Sequence, residues 1–132
     1  MSTLRLVLRI AAAVFIVVAG LHLSFGLDAD RMLGAVVPAA TVAEPSLDSQ
    51  NRFYGVAFSL YGVLLYLCAG DLHRYAPILQ ATFTVFFLAG LARLVSWSVR
   101  GAPAPAVIGL MVTELVLPPL LYLWLRRDLR AP

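Results

Sequence analysis

The chain has 132 residues, 61% hydrophobic and only 13% charged, against about 25% charged in ordinary soluble domains. A mean hydropathy of +0.89, with long apolar runs, speaks against a solvated globular domain and for membrane-spanning helices. The net charge of +3 rests on ten arginines and no lysine; they are scattered at the ends of apolar runs with no RNA- or DNA-binding motif, so no nucleic-acid partner is expected.

Four segments are long and apolar enough to be read as spans, at about 9–27, 49–69, 78–99 and 106–125. The first follows Arg5 and Arg9 in the manner of a signal peptide. Its apolar run extends to about Leu27, however, and no clean small-x-small cleavage site follows, so a retained helix is expected. Asp48 is the expected N-cap of the second helix, and Gly70 follows its end. Pro77 suits the first turn of the third, which Gly101, Pro103 and Pro105 terminate.

The expected architecture is an all-α, integral membrane four-helix bundle forming a single domain over 1–132. Arg5, Arg9, Arg74, Arg126, Arg127 and Arg130 fall on the side that holds both termini, and Arg31, Arg52 and Arg100 on the other. That excess places both termini in the cytoplasm of a multi-pass inner (plasma) membrane protein. The long connection between the first two spans, Asp28–Asn51, is then extracytoplasmic and holds four of the seven acidic residues. Within it Met32–Val42 is too short to span and is interrupted by Pro38; it reads either as an interfacial or re-entrant segment covering the outer end of the bundle or as a loose surface loop.

Two charges sit inside the apolar runs. Arg93 lies ~9 Å from the outer end of the third span, and Glu114 ~12 Å from the same face in the fourth. A charge so placed costs from ~2.5 to ~17 kcal/mol on different scales, and is normally kept only with a partner or a water-lined cavity. His22 lies ~8 Å deep in the first span, and Arg52 opens the second beside Asn51 and Tyr54. Every span thus contributes a polar group, all in the outer half, and the shared depth predicts one shared site.

Gly90, Arg93 and Trp97 share a helix face, which would set the Trp97 ring beside the guanidinium. Pro118 and Pro119 remove the amides that would bond the Glu114 and Leu115 carbonyls, so a kink is expected there. Gly55, Ser59 and Gly62 form a small-residue packing seam.

Each group also has a plainer reading. Arg93 and Glu114 would pin two helices together, Arg52 would pair with Asp48 four residues earlier, and His22 would be a hydrogen-bonded interior histidine. Trp97, Trp124, Tyr75 and Tyr122 would be interfacial anchors. A single cysteine, Cys68, forms no internal disulfide or CxxC pair and packs as a small hydrophobe. His73 lies at the opposite end from His22, so the two cannot share a haem. No cofactor motif or metal-ligand set is visible.

The pattern Arg52-Phe53-Tyr54-Gly55, Gly62, Gly90-Leu91-Ala92-Arg93-Leu94-Val95-Ser96, Gly101, Pro103 and Glu114 resembles an uncharacterised bacterial family of small four-helix membrane proteins. The resemblance covers nearly the whole chain and implies that Arg52, Arg93 and Glu114 are characteristic polar positions. A more distant similarity is to the DoxX-like group, some members of which are associated with quinone-linked electron transfer.

Two functions compete. In the first, an outer-half pocket binds an amphipathic ligand such as a lipid or a quinone-like molecule, as a binding protein or carrier. Arg93 and Arg52 meet its head group, Glu114 orients Arg93, His22 donates a hydrogen bond, and Tyr54 and Trp97 form apolar walls. In the second, the chain is a structural or accessory subunit, docked by its exposed faces in membrane lipid to a second copy or a larger complex. An enzyme ranks third, because no nucleophile–base pair, phosphate loop or metal set is visible.

Overall fold

The computed structural model describes residues 3–130. In chain order its helices are α1 (Thr3–Phe25), α2 (Leu27–Met32), α3 (Ala39–Val42), α4 (Pro45–Cys68), α5 (Ala76–Arg100) and α6 (Pro105–Asp128). No strand occurs among the described residues. α1, α5 and α6 are long and apolar enough to cross a membrane, so the chain is a multi-pass membrane protein by length and composition. α4 is equally long, but Asp48, Gln50, Asn51 and Arg52 crowd its first turns. Of the four spans expected, three therefore meet the length-and-apolarity test, and α4 is the polar-headed fourth long helix.

The helix limits follow from local chemistry. α1 begins at Thr3, six residues before the expected start at Arg9. Arginine is a good helix former, and Leu4 and Leu8 are fully buried in the core on this extra turn. α4 starts at Pro45, and its N-cap is Glu44 rather than Asp48: the Glu44 carboxylate accepts from the Leu47 amide at 2.7 Å. Proline at the first helical position carries no amide to leave unpaired, which explains the Glu-Pro start. α5 and α6 open in the same way, on Pro77 and Pro105, and Gly101 ends α5.

The Leu47 and Ser46 amides hold the Glu44 carboxyl below its ordinary value. A depressed folded-state pKa stabilises at pH values above the ordinary carboxylate range, and that contribution is lost as pH falls through the folded value. Leu47 amide exchange should accordingly be slower in the wild type than in Glu44→Ala near neutrality, the two rates converging in acid. A ratio of one at every pH would remove the cap.

α1 packs along α4 and α5 along α6, and these two pairs meet over narrower contacts between α4 and α5 and between α1 and α6. The apolar core joins all four long helices at one end: Leu4 and Leu8 of α1, Leu65 and Cys68 of α4, Leu79 and Phe83 of α5, Leu121 and Leu125 of α6. This end carries the start of α1 and the end of α6, and is called here the terminus-bearing end. Midway, the Phe15, Phe58, Tyr61 and Phe86 rings cluster with centroids 4.8–5.8 Å apart, linking α1, α4 and α5. The 26–44 connection crosses the opposite, loop-bearing end, where Gly34 reaches close to Ala106 at the head of α6. The Met32–Val42 stretch begins at the end of α2 and ends with α3, and Gly34 within it lies close to Ala106.

Candidate functional site

The polar groups do gather at the loop-bearing end, but as two clusters rather than one. No hydrogen bond or ion pair joins the two among the described residues. The reason lies in the packing: each cluster belongs to one tightly packed pair, and the contact between pairs is thin.

The first cluster ties α1, α2 and α4. His22 is buried, with Nδ1 at 2.8 Å from the Val18 carbonyl. A carbonyl can only accept, so Nδ1 carries the proton and Nε2 is left facing Asp30 Oδ1 at 3.5 Å. Asn51 Nδ2 donates to the other Asp30 oxygen at 2.6 Å. One turn away, Arg52 Nε donates to Asp48 Oδ2 at 2.7 Å, while its Nη1 donates to the Leu23 carbonyl in the last turn of α1. A cation at the carbonyl end of a helix satisfies an orphan acceptor and complements the helix dipole. Asp48 Oδ1 in turn accepts from the Leu27 amide at 3.4 Å.

The α1–α2 corner depends on Gly26, at φ 56° and ψ −132°. A Cβ there would fall 1.7 Å from Asp48 Oδ1, so backbone conformation and space both require glycine. Asn51 Oδ1 is buried without a partner among the described residues, an unfilled acceptor inside this cluster.

The second cluster is Arg93 of α5 with Glu114 of α6. Arg93 Nε donates to Oε2 at 2.6 Å and Nη2 to Oε1 at 2.9 Å, a two-point clamp. The carboxylate is the buried member: its side chain is 6% exposed against 38% for the arginine. Gly90, one turn before Arg93, lies against Leu115 and the Glu114 stem, bringing the backbones close. Nη1 of Arg93 has no hydrogen-bond partner among the described residues. α6 runs unbroken through Pro118 and Pro119, with Pro118 buried. Pro118 nevertheless leaves the Glu114 carbonyl without its usual helical donor.

Three expectations need correction. The Trp97 ring does not lie over the Arg93 guanidinium; ring-over-guanidinium contacts among the described residues are at Arg74–Tyr75 and Arg126–Tyr122. Tyr54 is 62% exposed and packs edge-on against Phe53, on the outside of α4 rather than facing Arg93. The pronounced concavities also lie elsewhere. One, of about 330 Å³, is an apolar groove between α1 and α4 around Ala12, Gly62 and Tyr66; another, of about 470 Å³, is at the end of α6.

Asp30 is the site residue that sequence reasoning passed over. It stands among other loop acids, and its partners lie across a helix corner: His22 eight residues back in α1 and Asn51 twenty-one residues on in α4.

These features define a small all-α, multi-pass membrane protein with paired charges set into its apolar helices. The chain belongs to the family described as a domain of unknown function (DUF4345), whose profile matches residues 3–125. No curated protein and no solved structure gives a match.

Proposed function

We propose that α1, α4, α5 and α6 all cross a bacterial plasma membrane, with both termini in the cytoplasm and the 26–44 segment outside. The arginine excess at the terminus-bearing end supports this orientation. Within that frame the Arg93–Glu114 pair receives the acceptor head group of an amphipathic molecule, lipid-like or quinone-like, in the outer half of the bilayer. The DoxX-like resemblance is what keeps a quinone-like head group among the candidates.

The observation that carries this reading is the asymmetry of the pair. Glu114 is buried and holds the guanidinium by two bonds, while Nη1 has no partner among the described residues and its side chain is 38% exposed. A purely structural pair would be expected to bury both members alike. Arg52 and His22 hold the outer cover over the α1–α4 pair.

The second reading, a structural or accessory subunit, draws support from the two concavities described above, neither of which is lined by Arg93 or Glu114. Mass spectrometry of organic extracts separates the two. Under the ligand reading, purified wild type carries one amphipathic species in near-stoichiometric amount. The double variant Arg93→Leu, Glu114→Leu lacks it while melting like wild type. Identical extracts from both proteins favour the accessory subunit.

A further inference from the structure

At the terminus-bearing end Leu123, Arg126 and Arg127 share a face of α6 by i, i+3 and i+4 spacing, and Arg130 follows in the turn just past its end. They line an open, shallow concavity at the end of α6. None of the three arginines has an ion-pair partner among the described residues. By contrast Arg31, Arg52 and Arg93 each hold a carboxylate. Arg126 is steadied by the Tyr122 ring, 5.9 Å from its guanidinium carbon to the ring centre. Below the arginines the same side of α6 continues as Leu123, Leu120 and Val116, all exposed.

The geometry points to a seat for an anionic phospholipid. Its phosphate sits among Arg126, Arg127 and Arg130, and an acyl chain lies along Leu123, Leu120 and Val116. Charge complementarity selects this occupant. Three guanidinium groups without an ion pair among the described residues match a phosphate, which arginine binds through paired N–H bonds. An apolar track descending into the bilayer distinguishes a lipid from a soluble anion, and basic recesses at this membrane face take acidic head groups. The seat relies on α6 crossing the bilayer but not on the Arg93 site, which lies at the other end of the bundle.

Native mass spectrometry of the purified full chain tests it, titrating phosphatidylglycerol against phosphatidylcholine with the same acyl chains. Wild type should prefer phosphatidylglycerol by about tenfold or more, given roughly 1 kcal/mol per arginine near an anionic head group. Arg126→Gln, Arg127→Gln, Arg130→Gln together should abolish the preference. Arg31→Gln with Arg100→Gln, at the loop-bearing end, should preserve it.

Equal binding of both lipids, a preference that survives the triple substitution, or an equal loss in the control would each overturn the seat. Displacement of the lipid by glycerol phosphate alone would overturn it as well, since the apolar track would then contribute nothing. The three side chains are exposed, so the core is untouched by their replacement. Should the triple variant fail to fold, Arg127→Gln alone should lose about fivefold, and an unchanged single variant would count against the proposal. Loss of this lipid preference with the copurifying amphipath intact would leave the Arg93 reading standing, and the converse holds equally.

Discussion

Arg93→Leu should destabilise the protein by about 3–5 kcal/mol, the range for stranding one member of a buried ion pair. The Glu114 side chain is 6% exposed and loses both of its donors at once. No other donor to it is present among the described residues, so it stays as a buried charge or takes up a proton. Glu114→Leu should cost distinctly less, because Arg93 is already 38% exposed and its long stem can carry the guanidinium toward the membrane surface. The double leucine variant should recover most of the loss, since replacing both partners with apolar groups is often neutral or stabilising. Thermal melting in one detergent checks the order: Arg93→Leu lowest, Glu114→Leu between, the double variant close to wild type. Equal melting of all four proteins would show that the clamp contributes nothing to the folded state.

Gly55→Ala should be comparably severe for a different reason. A methyl carbon there would stand 2.2 Å from His22 Cβ and 2.8 Å from its Cγ. Cβ is fixed to the backbone, so no rotamer change relieves the clash and α1 must move away from α4. Overpacking of this kind costs about 1–3 kcal/mol, and more where the backbone cannot yield. Separation of the helices also disturbs the His22, Asp30 and Asn51 contacts beside it. Gly20→Ala is the matched comparison, since nothing lies within 4 Å of the added carbon; it should be neutral or stabilise by about 0.5–1 kcal/mol through helix propensity. A melting temperature for Gly55→Ala equal to that of Gly20→Ala would show that the close approach of α1 and α4 is not required.

Much of this arrangement could be read from the residues because the relevant signals were local. Pro77, Gly101 and Pro105 mark the limits of α5 and α6 by their own backbone chemistry. Arg93 and Glu114 stand out as charges at matching depth on two helices joined by a short turn, so antiparallel pairing alone brings them together. Arg52 and Asp48 are one helical turn apart and needed only helix geometry.

What could not be read depends on contacts distant in sequence or on the direction of a helix face. Asp48 looked like a cap because its bond to the Leu27 amide spans 21 residues, and the same holds for Asp30 and Asn51. Tyr54 and Trp97 were misplaced because inward and outward faces of these helices are both apolar. The contrast that orients a helix in a soluble protein is missing. The division into two clusters follows from α1 choosing α4 and α5 choosing α6, a preference set by Gly55, Gly62 and Gly90 lying against specific neighbours.

The uneven distribution of the apolar core has a mechanical consequence. Leu8, Leu65, Leu79 and Leu125 lock the four long helices at one end, while toward the charges the two halves meet through thin contacts such as Gly34 against Ala106. Such a body yields like a pair of tongs, hinged where the chain begins and ends. Strain between its halves falls first on those thin contacts near the charges and last on the leucine hinge.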